Sequence, residues 1–322
     1  MNYSLFMLKF STAVHFGTSG SALSLYTSED HFCADTLFSA MCSSAVRLYG
    51  PEGLDRLVKM ARKGSLLISD SMPYCGENLY LPKPYITAEY KGEIDRRKSK
   101  AMKKLKWIPV NAFAEFSDSV HGKGEFQAED YEVKFGESSE VTRARVHEGD
   151  DTLPYQIGIY RFHDNCGLYV IIGTESDDDL DYVKKLITAV GISGIGGKIS
   201  SGCGKYEISD EMYLDEPFDD QTEWLRSALE STSGRSMLIT TALPREEELE
   251  HTLDDATFMM TRRGGFVQSD TYAEMSLKKD TQYFISSGSV VNRFEGDVYD
   301  VGKGGTHPVY RYSKPIFLGV DI

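Results

Sequence analysis

Apolar and polar residues alternate in the first part of the chain and then change to helical spacing. The alternation over residues 3–16 predicts a first β-strand. Residues 34–50 repeat apolar side chains at helical spacing, which predicts an amphipathic helix with Asp35 as its N-cap. The dipeptide Gly50-Pro51 predicts the end of that helix.

The middle of the chain continues with short strands and a second helix. We expect strands at 65–69 and 78–81, a hairpin at 155–173, a helix at 177–191 and a strand at 205–209. Together with the first strand and helix, this order is the βαββαβ plan of a ferredoxin-like (RRM-like) domain. A large insertion, at about 85–152, precedes its third strand.

The C-terminal part is rich in β-prone residues and less regular. We interpret it as a second, degenerate ferredoxin-like domain. The expected fold class is therefore α+β, with two ferredoxin-like domains. The first would span residues 1–215 and the second 236–322, with an acidic linker at 216–235.

Length and composition fit a folded protein of about two domains, each with its own core. The 322 residues are 41% hydrophobic, which excludes general disorder, and the net charge of −14 argues against a basic coat for duplex DNA. The charge is uneven: residues 96–106 hold seven bases and no acid, whereas 216–255 hold eleven acids and three bases. This pattern suits a subunit that grips nucleic acid at one place and contacts a protein at another.

The five cysteines are scattered, without CxxC spacing and without histidines at zinc-ligand spacing. They predict reduced thiols in a cytoplasmic protein, and neither a metal nor a cofactor is expected. The N-terminal apolar run is too short for a signal peptide, and no apolar stretch has the length of a membrane span. We therefore expect no contact with a membrane.

Residues 191–206, GISGIGGKISSGCGKY, form a segment that we name the glycine loop. Glycine lets backbone N–H groups approach a ligand and lysine favours an anion, so a phosphate chain is its natural ligand. The GxxxxGK[ST] and GxGxxG patterns are absent, which excludes two common nucleotide-binding loops. The competing interpretation is a flexible surface turn. The candidate ligand-binding residues are Gly194, Gly196, Gly197, Lys198, Ser200, Ser201, Gly202, Gly204 and Lys205.

Two further groups of cations are candidates for phosphate contacts. The basic segment 96–106 repels itself without a polyanion, so we expect a mobile arm that RNA orders; a solvated helical face is the alternative. Arginines at 143 and 145 share one face of a strand, and those at 262 and 263 lie near an aromatic ring, which predicts phosphate clamps and stacking. Ion pairs with surface acids are the alternative. The candidates are Lys98, Lys100, Lys103, Lys104, Arg143, Arg145, Arg262 and Arg263, with Phe266 as the neighbouring ring.

His15 stands at the end of the predicted first strand. It could stack on a nucleobase or act as a general base, or it could be a hydrogen-bonded structural histidine. Acid–base cleavage would need a second positioned group, and the sequence names none. Asp35 could also serve as a catalytic carboxylate, but helix capping is the simpler interpretation.

Several segments, in order along nearly the whole chain, resemble one known family. They are TAVHFG (12–17), ADTLFSAM (34–41), YLPKPYI (80–86), KLKWIPV (104–110), VTRARV (141–146), GLYVII (167–172), GIGGKISSGCGKY (194–206), TRRGGFV (261–267), SSGSVV (286–291) and HPVYRYSKPIFLGV (307–320). The chain is similar to subunit four of the Csm effector complexes of type III-A CRISPR systems, within the RAMP superfamily and close to its Cas-five-like group. DTLFSA and the HPVYRY ending point to this family rather than to the repeated backbone subunit.

The resemblance implies two ferredoxin-like domains, a thumb-like insertion and no catalysis. It implies a subunit that binds the 5′ repeat-derived tag of the guide RNA and caps the foot of a hetero-oligomeric ribonucleoprotein complex. Its protein partners would be the large polymerase-like subunit, which it docks, and a neighbouring backbone RAMP subunit. RNA contacts would involve His15, the loop from Gly194 to Lys205 and basic residues of the thumb.

Two other functions stay open from the residues. One is a RAMP-type, metal-independent endoribonuclease that processes guide RNA with His15 as general base. The other is a protein scaffold without RNA contacts. A cyclic-nucleotide polymerase is disfavoured because no GGDD sequence occurs. We also expect Gly196→Val or Gly197→Val to impair guide loading more than folding, because of the density of glycine in the loop.

Overall fold

The computed structural model describes residues 1–17, 24–86, 96–145, 153–232, 235–269, 271–275 and 277–322, without the side chains of 96–99, 145 and 153. Within these ranges the chain is a mixed α/β structure, and its paired strands run antiparallel. The predicted α+β class is confirmed at this level.

The described residues form fifteen strands and six α-helices. The strands are β1 (Asn2–Phe10), β2 (Leu66–Ile68), β3 (Met72–Cys75), β4 (Asn78–Pro82), β5 (Trp107–Pro109), β6 (Gly136–Arg145), β7 (Leu153–Phe162), β8 (Cys166–Thr174), β9 (Tyr206–Tyr213), β10 (Arg235–Leu238), β11 (Met260–Arg263), β12 (Gln282–Ile285), β13 (Val298–Asp300), β14 (Tyr310–Tyr312) and β15 (Phe317–Val320). The helices are α1 (Ala34–Lys63), α2 (Arg96–Lys104), α3 (Phe113–Val120), α4 (Asp177–Ser193), α5 (Asp220–Glu230) and α6 (Leu249–Leu253).

The largest sheet has seven strands, in the order β5-β4-β3-β8-β1-β9, and β2 also pairs with β8. Strand β8 pairs with β1 on one side and with β2 and β3 on the other, and all nine of its residues are buried. This burial explains its unbroken apolar run, because a strand without a solvent face gains nothing from alternating polar residues. The predicted strands at 65–69, 78–81 and 205–209 are confirmed as β2, β4 and β9, and the predicted second helix is α4.

The first strand and the first helix differ from their predicted bounds. Strand β1 ends at Phe10, well before the predicted end at residue 16. Helix α1 continues past Gly50-Pro51, the predicted end, to Lys63. Gly50 has φ 69° and ψ −164°, so the chain leaves helical geometry at this residue and Pro51 starts the second half. Proline suits the first position of a helix because no N–H is needed there, so the predicted end is a kink.

The predicted N-cap at Asp35 is wrong. The N-cap residue is Cys33, and its side chain makes no capping hydrogen bond. The Ala34 N–H instead donates to Asp70 Oδ1 at 2.8 Å, so a carboxylate from a distant part of the chain satisfies the helix N-terminus. Asp35 lies within the first helical turn and pairs with Arg263.

The predicted hairpin at 155–173 is wrong in its pairing. Its two arms exist as β7 and β8, but β7 pairs with β6 and β8 belongs to the large sheet. Both arms are apolar and β-prone, so the pattern identifies two strands without specifying their partners. Strand β6 itself falls in the predicted insertion, and it includes Arg143 and Arg145, which were expected to share one face of a strand.

The C-terminal part contains three two-stranded sheets, β10–β15, β11–β12 and β13–β14. Its buried residues Met237, Tyr312 and Leu318 belong to the same hydrophobic cluster as Leu5 of β1 and Leu186 of α4. The two parts of the chain therefore share the main core, and two smaller clusters, one around Ile285 and one around Tyr272, lie within the C-terminal part.

The acidic segment is folded over its described residues 216–232. Helix α5 occupies its centre, with Asp219 as N-cap and with Leu225 and Leu229 buried. The helix packs against β15 of the C-terminal part. Acidic residues line its outer side while its inner side contributes to the core, and the domain boundaries themselves stay a prediction.

A buried polar segment, residues 69–71, joins α1 to the C-terminal part. Asp70 accepts hydrogen bonds from the Ala34 N–H at 2.8 Å and from the Thr241 hydroxyl at 2.5 Å, and its own N–H donates to Ile239 O at 2.9 Å. Burial raises the pKa of Asp70, although these hydrogen bonds favour the charged carboxylate. One carboxyl group thus caps the first helix and binds the C-terminal part.

Substitution of Asp70 tests this junction. Asp70→Leu leaves the Ala34 N–H and the Thr241 hydroxyl without their buried acceptor, so we expect urea denaturation at pH 7 to show a loss of about 2–4 kcal/mol in the free energy of unfolding. Asp70→Asn keeps one oxygen acceptor and removes a buried charge, so its loss should stay below about 1 kcal/mol.

The wild-type chain and Asp70→Asn also differ in their pH dependence. A raised pKa of Asp70 in the folded state means that the folded chain binds more protons than the unfolded chain between the ordinary value of 3.8 and the folded pKa. The wild-type chain should therefore lose stability relative to Asp70→Asn as the pH rises through that window. Equal stability losses for the Leu and Asn variants would contradict the capping role.

Candidate nucleic-acid interface

Residues 13–16 form an extended segment, here named the strap, that pairs with two other parts of the chain. Val14 exchanges backbone hydrogen bonds with Tyr160 of β7, at 2.8 and 2.9 Å. On the other side, the N–H groups of Gly197 and Gly204 donate to strap carbonyls at 2.8 and 2.9 Å. The strap therefore holds the β6–β7 hairpin and the glycine loop side by side.

Backbone geometry explains most glycines of the glycine loop. Gly194, Gly196, Gly202 and Gly204 have φ values from 78° to 96°, a region that side chains disfavour. Gly204 also lacks space, because a Cβ there would lie 2.0 Å from Ile195 O. The glycine density thus serves the fold of the loop itself.

Gly196 and Gly197 lie directly against the strap. A Cβ at Gly196 would lie 2.8 Å from the Phe16 ring, and a Cβ at Gly197 would lie 2.6 Å from the His15 ring. Valine at either position would therefore push the loop away from the strap. These contacts indicate a cost to folding as well, and the expectation that guide loading suffers more than folding stays a prediction.

The loop N–H groups that were expected to face a phosphate are largely used within the protein. Those that donate to protein acceptors belong to Gly194, Ile195, Gly197, Ser201, Gly202, Cys203, Gly204 and Lys205. In contrast, Ser200, Ser201 and the Lys205 side chain are exposed, and Lys198 is half-buried. Side chains, rather than these N–H groups, are the parts of the loop that a ligand can reach.

His15 links the strap to the hairpin. Its Nδ1 lies 2.6 Å from the carbonyl oxygen of Gly158 in β7. Because a carbonyl only accepts, Nδ1 carries the proton and donates it. The side chain is buried, with 7% of the residue surface exposed, so the structural alternative accounts for its position. A contact with RNA, or a role as general base through Nε2, stays a prediction.

A cleft of about 240 Å³ lies between the β6–β7 hairpin and the glycine loop. Its lining includes Arg143 of β6, Arg161 of β7, and Lys198 and Ser201 of the glycine loop. Apolar side chains such as Ile159 complete the wall, and no acid is among the described residues that line it. Three cations in the wall make this cleft a candidate anion-binding site by charge, although Glu137 faces Arg161 across the β6–β7 ladder.

Lys198 is placed in the cleft by an unusual backbone conformation. Its φ is 60°, a left-handed value that is uncommon for a residue with a side chain. Its Nζ lies 5.0 Å from the centre of the Tyr155 ring, and Tyr155 faces Arg143 directly across the β6–β7 ladder. The ring therefore holds one cation over its face beside a second cation. Arg145 follows on the same face as Arg143, but its side chain lies outside the described residues.

The basic segment is helical, as α2, and its four candidates are not equivalent. Lys100, Lys103 and Lys104 are exposed, and Lys104 forms an ion pair with Glu132. The Lys98 side chain lies outside the described residues. The helix thus corresponds in part to the solvated face named as the alternative, and an RNA contact by these lysines stays a prediction.

The two C-terminal arginines have different surroundings. Arg263 donates to both carboxylate oxygens of Asp35, from Nε at 3.1 Å and from Nη2 at 2.5 Å, so the ion-pair alternative is found here. Arg262 is exposed and stands opposite Tyr283, which is exposed too, across the β11–β12 ladder. Phe266 is also exposed. Arg262 is free to reach a ligand in a way that Arg263 is not.

Arg161 of the cleft and Tyr155, which lies beside Lys198, are absent from the sequence-based candidates. The segment YQIGIYRF contains the signal, because its period-two spacing puts Tyr155, Ile157, Ile159 and Arg161 on one face of β7. Their position opposite the glycine loop depends on the pairing of β7 with β6 and the strap, which the sequence pattern does not reveal.

Metal-type ligand atoms come together at one place in the described ranges, Glu29, Asp30 and His31. Asp30 Oδ1 lies 2.9 Å from His31 Nδ1, so an ion pair explains the arrangement. In the same ranges no helix has both the length and the apolar character needed to cross a membrane.

Comparison with known proteins identifies relatives along the whole chain. A family model described as the CRISPR Csm4 C-terminal domain matches residues 231–320. The CRISPR system protein Csm4 of Mycobacterium tuberculosis is 34% identical over 322 residues, covering 99% of this chain and 98% of that protein. The Csm4 protein of Streptococcus thermophilus is 30% identical and covers 100% of both chains. That of Thermococcus onnurineus is 26% identical, covering 90% and 91%.

Solved structures show the same overall fold. A chain of the Csm3-Csm4 subcomplex in the type III-A CRISPR-Cas interference complex matches with a TM-score of 0.64 at 19% identity, over 99% of each chain. A chain of the Csm1-Csm4 cassette in complex with cA4 matches with a TM-score of 0.61 at 19% identity, over 99% and 98%.

Two glycines of the loop form a matched pair for testing why the loop needs glycine. Gly202 and Gly204 have similar φ values, 85° and 78°, but a Cβ at Gly202 meets open space whereas a Cβ at Gly204 lies 2.0 Å from Ile195 O. Both Ala variants carry the left-handed cost of about 1 kcal/mol. We expect Gly204→Ala to lose at least about 2 kcal/mol more than Gly202→Ala in urea denaturation. Similar losses would mean that glycine is needed at position 204 only for its positive φ, and not because of the close contact with Ile195 O.

Proposed function

The chain belongs to the Csm4 family of type III-A CRISPR systems, and from this premise we propose that it is a non-catalytic RNA-binding subunit. It holds the 5′ repeat-derived tag of the guide RNA, caps the foot of the complex and docks the large polymerase-like subunit. The observation that carries the RNA-binding proposal is the cleft in which Arg143, Arg161 and Lys198 come together.

The chemistry of the cleft fits an RNA backbone better than a base edge. Guanidinium and ammonium groups bind phosphate oxygens without reading sequence, and Ser201 adds a hydroxyl that can donate to phosphate or ribose. Tyr155, which lies beside Lys198, offers a ring face to an unstacked base. Since the protein as a whole carries a net charge of −14, a local concentration of cations would confine RNA to this surface.

Arg262, Tyr283 and Phe266 provide a second surface for the same strand. They combine one exposed cation with two exposed rings on or beside the β11–β12 hairpin, a composition suited to stacking of single-stranded bases. Arg263 has a different part in this proposal. Its bond to Asp35 ties β11 to the start of α1 and so holds the hairpin in position.

The strand order supports a ferredoxin-like first domain. Strands β3, β8, β1 and β9 are neighbours in that order, and α1 and α4 follow β1 and β8 along the chain, as in the βαββαβ plan. We assign the residues at about 85–152 to a thumb-like insertion, with β6 near its end and β7 directly after it. The match of the Csm4 C-terminal domain from residue 231 supports a second domain after the acidic segment.

The acidic segment is proposed as a protein-contact surface. Relatives of this fold were solved as a Csm3-Csm4 subcomplex and as a Csm1-Csm4 cassette. We propose that this chain binds the corresponding backbone subunit and large subunit. Phe218, which is 67% exposed, stands among Glu216, Asp219 and Asp220, a surface that repels RNA and suits a protein with basic residues.

The geometry around His15 supports a binding role rather than cleavage. Its Nδ1 proton is committed to Gly158 O, and the ring is buried between the strap and the hairpin. General acid–base cleavage needs two groups that reach the same phosphate. The relatives are named as proteins of a CRISPR complex and not by a reaction.

Charge removal in the cleft tests the RNA-binding proposal. Arg143→Gln with Arg161→Gln removes two phosphate contacts, so affinity for single-stranded RNA that carries the tag should fall about tenfold or more at 100 mM salt, measured by fluorescence anisotropy. The slope of log K against log salt should become shallower by about 1.4, since each single-strand phosphate contact contributes about 0.7.

A matched double variant controls for total charge. Arg47→Gln with Lys59→Gln removes the same charge from exposed positions outside the cleft, and it should leave the salt slope unchanged. If the cleft variant retains both the affinity and the slope of the wild type, the chain is a scaffold without RNA contacts at this site.

An incubation with repeat RNA separates binding from catalysis. The purified chain without metal should leave the RNA intact, and His15→Ala should behave like the wild type in this assay because His15 performs no chemistry. Specific cleavage that His15→Ala abolishes would establish the endoribonuclease alternative and overturn the non-catalytic assignment.

A further inference from the structure

Two cysteines stand directly opposite each other in the large sheet. Cys75 ends β3 and Cys166 begins β8, and the two residues are register partners in the antiparallel ladder. The next position along carries a backbone hydrogen bond, from Gly76 N–H to Asn165 O at 2.7 Å. Because hydrogen-bonded and non-hydrogen-bonded pairs alternate along such a ladder, Cys75 and Cys166 form a non-hydrogen-bonded pair.

This type of pair has the geometry that a disulfide needs. Facing Cα atoms in a non-hydrogen-bonded pair lie about 4.5 Å apart, inside the range of about 4.4–6.8 Å found for disulfides. The two side chains point to the same side of the sheet, because facing residues of an antiparallel ladder share one face. The bond can therefore close without a shift of either strand.

The two thiols differ in access. Cys75 is half-buried, whereas Cys166 is 2% exposed. Burial, together with the contact to Cys75, raises the pKa of the Cys166 thiol to about 12, so this sulfur stays protonated until it reacts. An oxidant from solution would meet Cys75 first, and Cys166 is placed to resolve the product.

We propose that Cys75 and Cys166 are a redox modification site, which a low-molecular-weight disulfide such as glutathione disulfide converts into a reversible cross-strand disulfide. The Cys75 thiolate attacks one sulfur of the oxidant, so that a mixed disulfide forms and one thiolate leaves. The Cys166 sulfur then attacks the Cys75 sulfur, its proton passes to the departing thiolate, and a second thiol is released. Two electrons and two protons leave the chain, and the oxidant becomes two thiols.

The position of the pair gives the disulfide a structural consequence. Residues 76–165 lie between the two cysteines, and they include the whole insertion with β6 and β7. A bond at the base of this segment closes a long loop in the unfolded chain and so stabilises the folded state. Oxidation would tie the segment that carries Arg143 and Arg161 to the large sheet.

Mass spectrometry on the full-length chain tests the proposal. The chain is equilibrated in glutathione buffers from fully reduced to fully oxidised, free thiols are blocked with N-ethylmaleimide, and peptides are analysed without reduction. We expect a linked peptide pair containing Cys75 and Cys166, with two hydrogens fewer than the separate peptides, to grow with oxidation and to vanish with dithiothreitol. Thermal unfolding should shift upward by roughly 5–15 °C on oxidation.

Two variants complete the design. Cys75→Ser should lose both the linked pair and the thermal shift, whereas Cys42→Ser, which alters a cysteine of α1, should keep both. If Cys75→Ser folds poorly, the linked pair in the wild-type chain still decides the question. The proposal is overturned if both thiols react with N-ethylmaleimide in fully oxidised buffer, if Cys75 stops at the mixed disulfide, or if either cysteine links elsewhere.

Discussion

The proposed RNA site depends on backbone pairing by the strap. Val14 bonds to Tyr160 of the hairpin, and Gly197 and Gly204 of the glycine loop bond to the opposite side of the strap. His15 adds a side-chain bond to the hairpin. These contacts bring the β6–β7 hairpin and the glycine loop, which are distant in sequence, to opposite sides of one cleft. The cations of the hairpin and the loop face each other only because of these contacts. The strap therefore fixes the positions of the hairpin and the glycine loop, and the cations provide the charge that would bind phosphate.

The fold could be predicted from the sequence where the pattern is local. Helix α4 follows from its helical spacing and its acidic first turn, and β9 follows from the strand-like residues after the glycine loop. Pairing is not local. β7 and β8 have similar composition, so composition does not distinguish their partners. β7 pairs with β6 because β8 is already paired with β1 and β3. The helix end at Gly50-Pro51 was mistaken because glycine and proline also fit a kink inside a longer helix.

The site could be predicted in part, since residue types identify cations and glycines but not their partners. Lys198 and Arg143 were recognised from their segments, and both line the cleft. Arg161 was missed because an arginine at the end of a strand carries no signal without its neighbours. For Arg263 the sequence leaves a phosphate clamp and an ion pair as alternatives, and it pairs with Asp35, a residue 228 positions away. The same long-range logic places Asp70, rather than Asp35, at the helix N-terminus.

The glycine loop supports the site rather than binding a ligand through its backbone. The N–H groups of Gly194, Gly197, Gly202 and Gly204 donate to acceptors within the protein, so they make the loop rigid and are not available to a ligand. Its rigidity fixes Lys198 in a left-handed conformation beside Tyr155. A cation that is already held in its binding position loses little conformational entropy when it binds. This favours tight binding of the guide RNA backbone, while the bases of the guide stay free to pair.

The most direct test of this account is a structure of the assembled, guide-loaded complex at a resolution that shows phosphate groups. The account predicts a guide-strand phosphate within hydrogen-bonding distance of Arg143, Arg161 or Lys198, with the strap and the glycine loop in their present contact. A guide strand that passes elsewhere, with the cleft filled by protein or solvent, would contradict it.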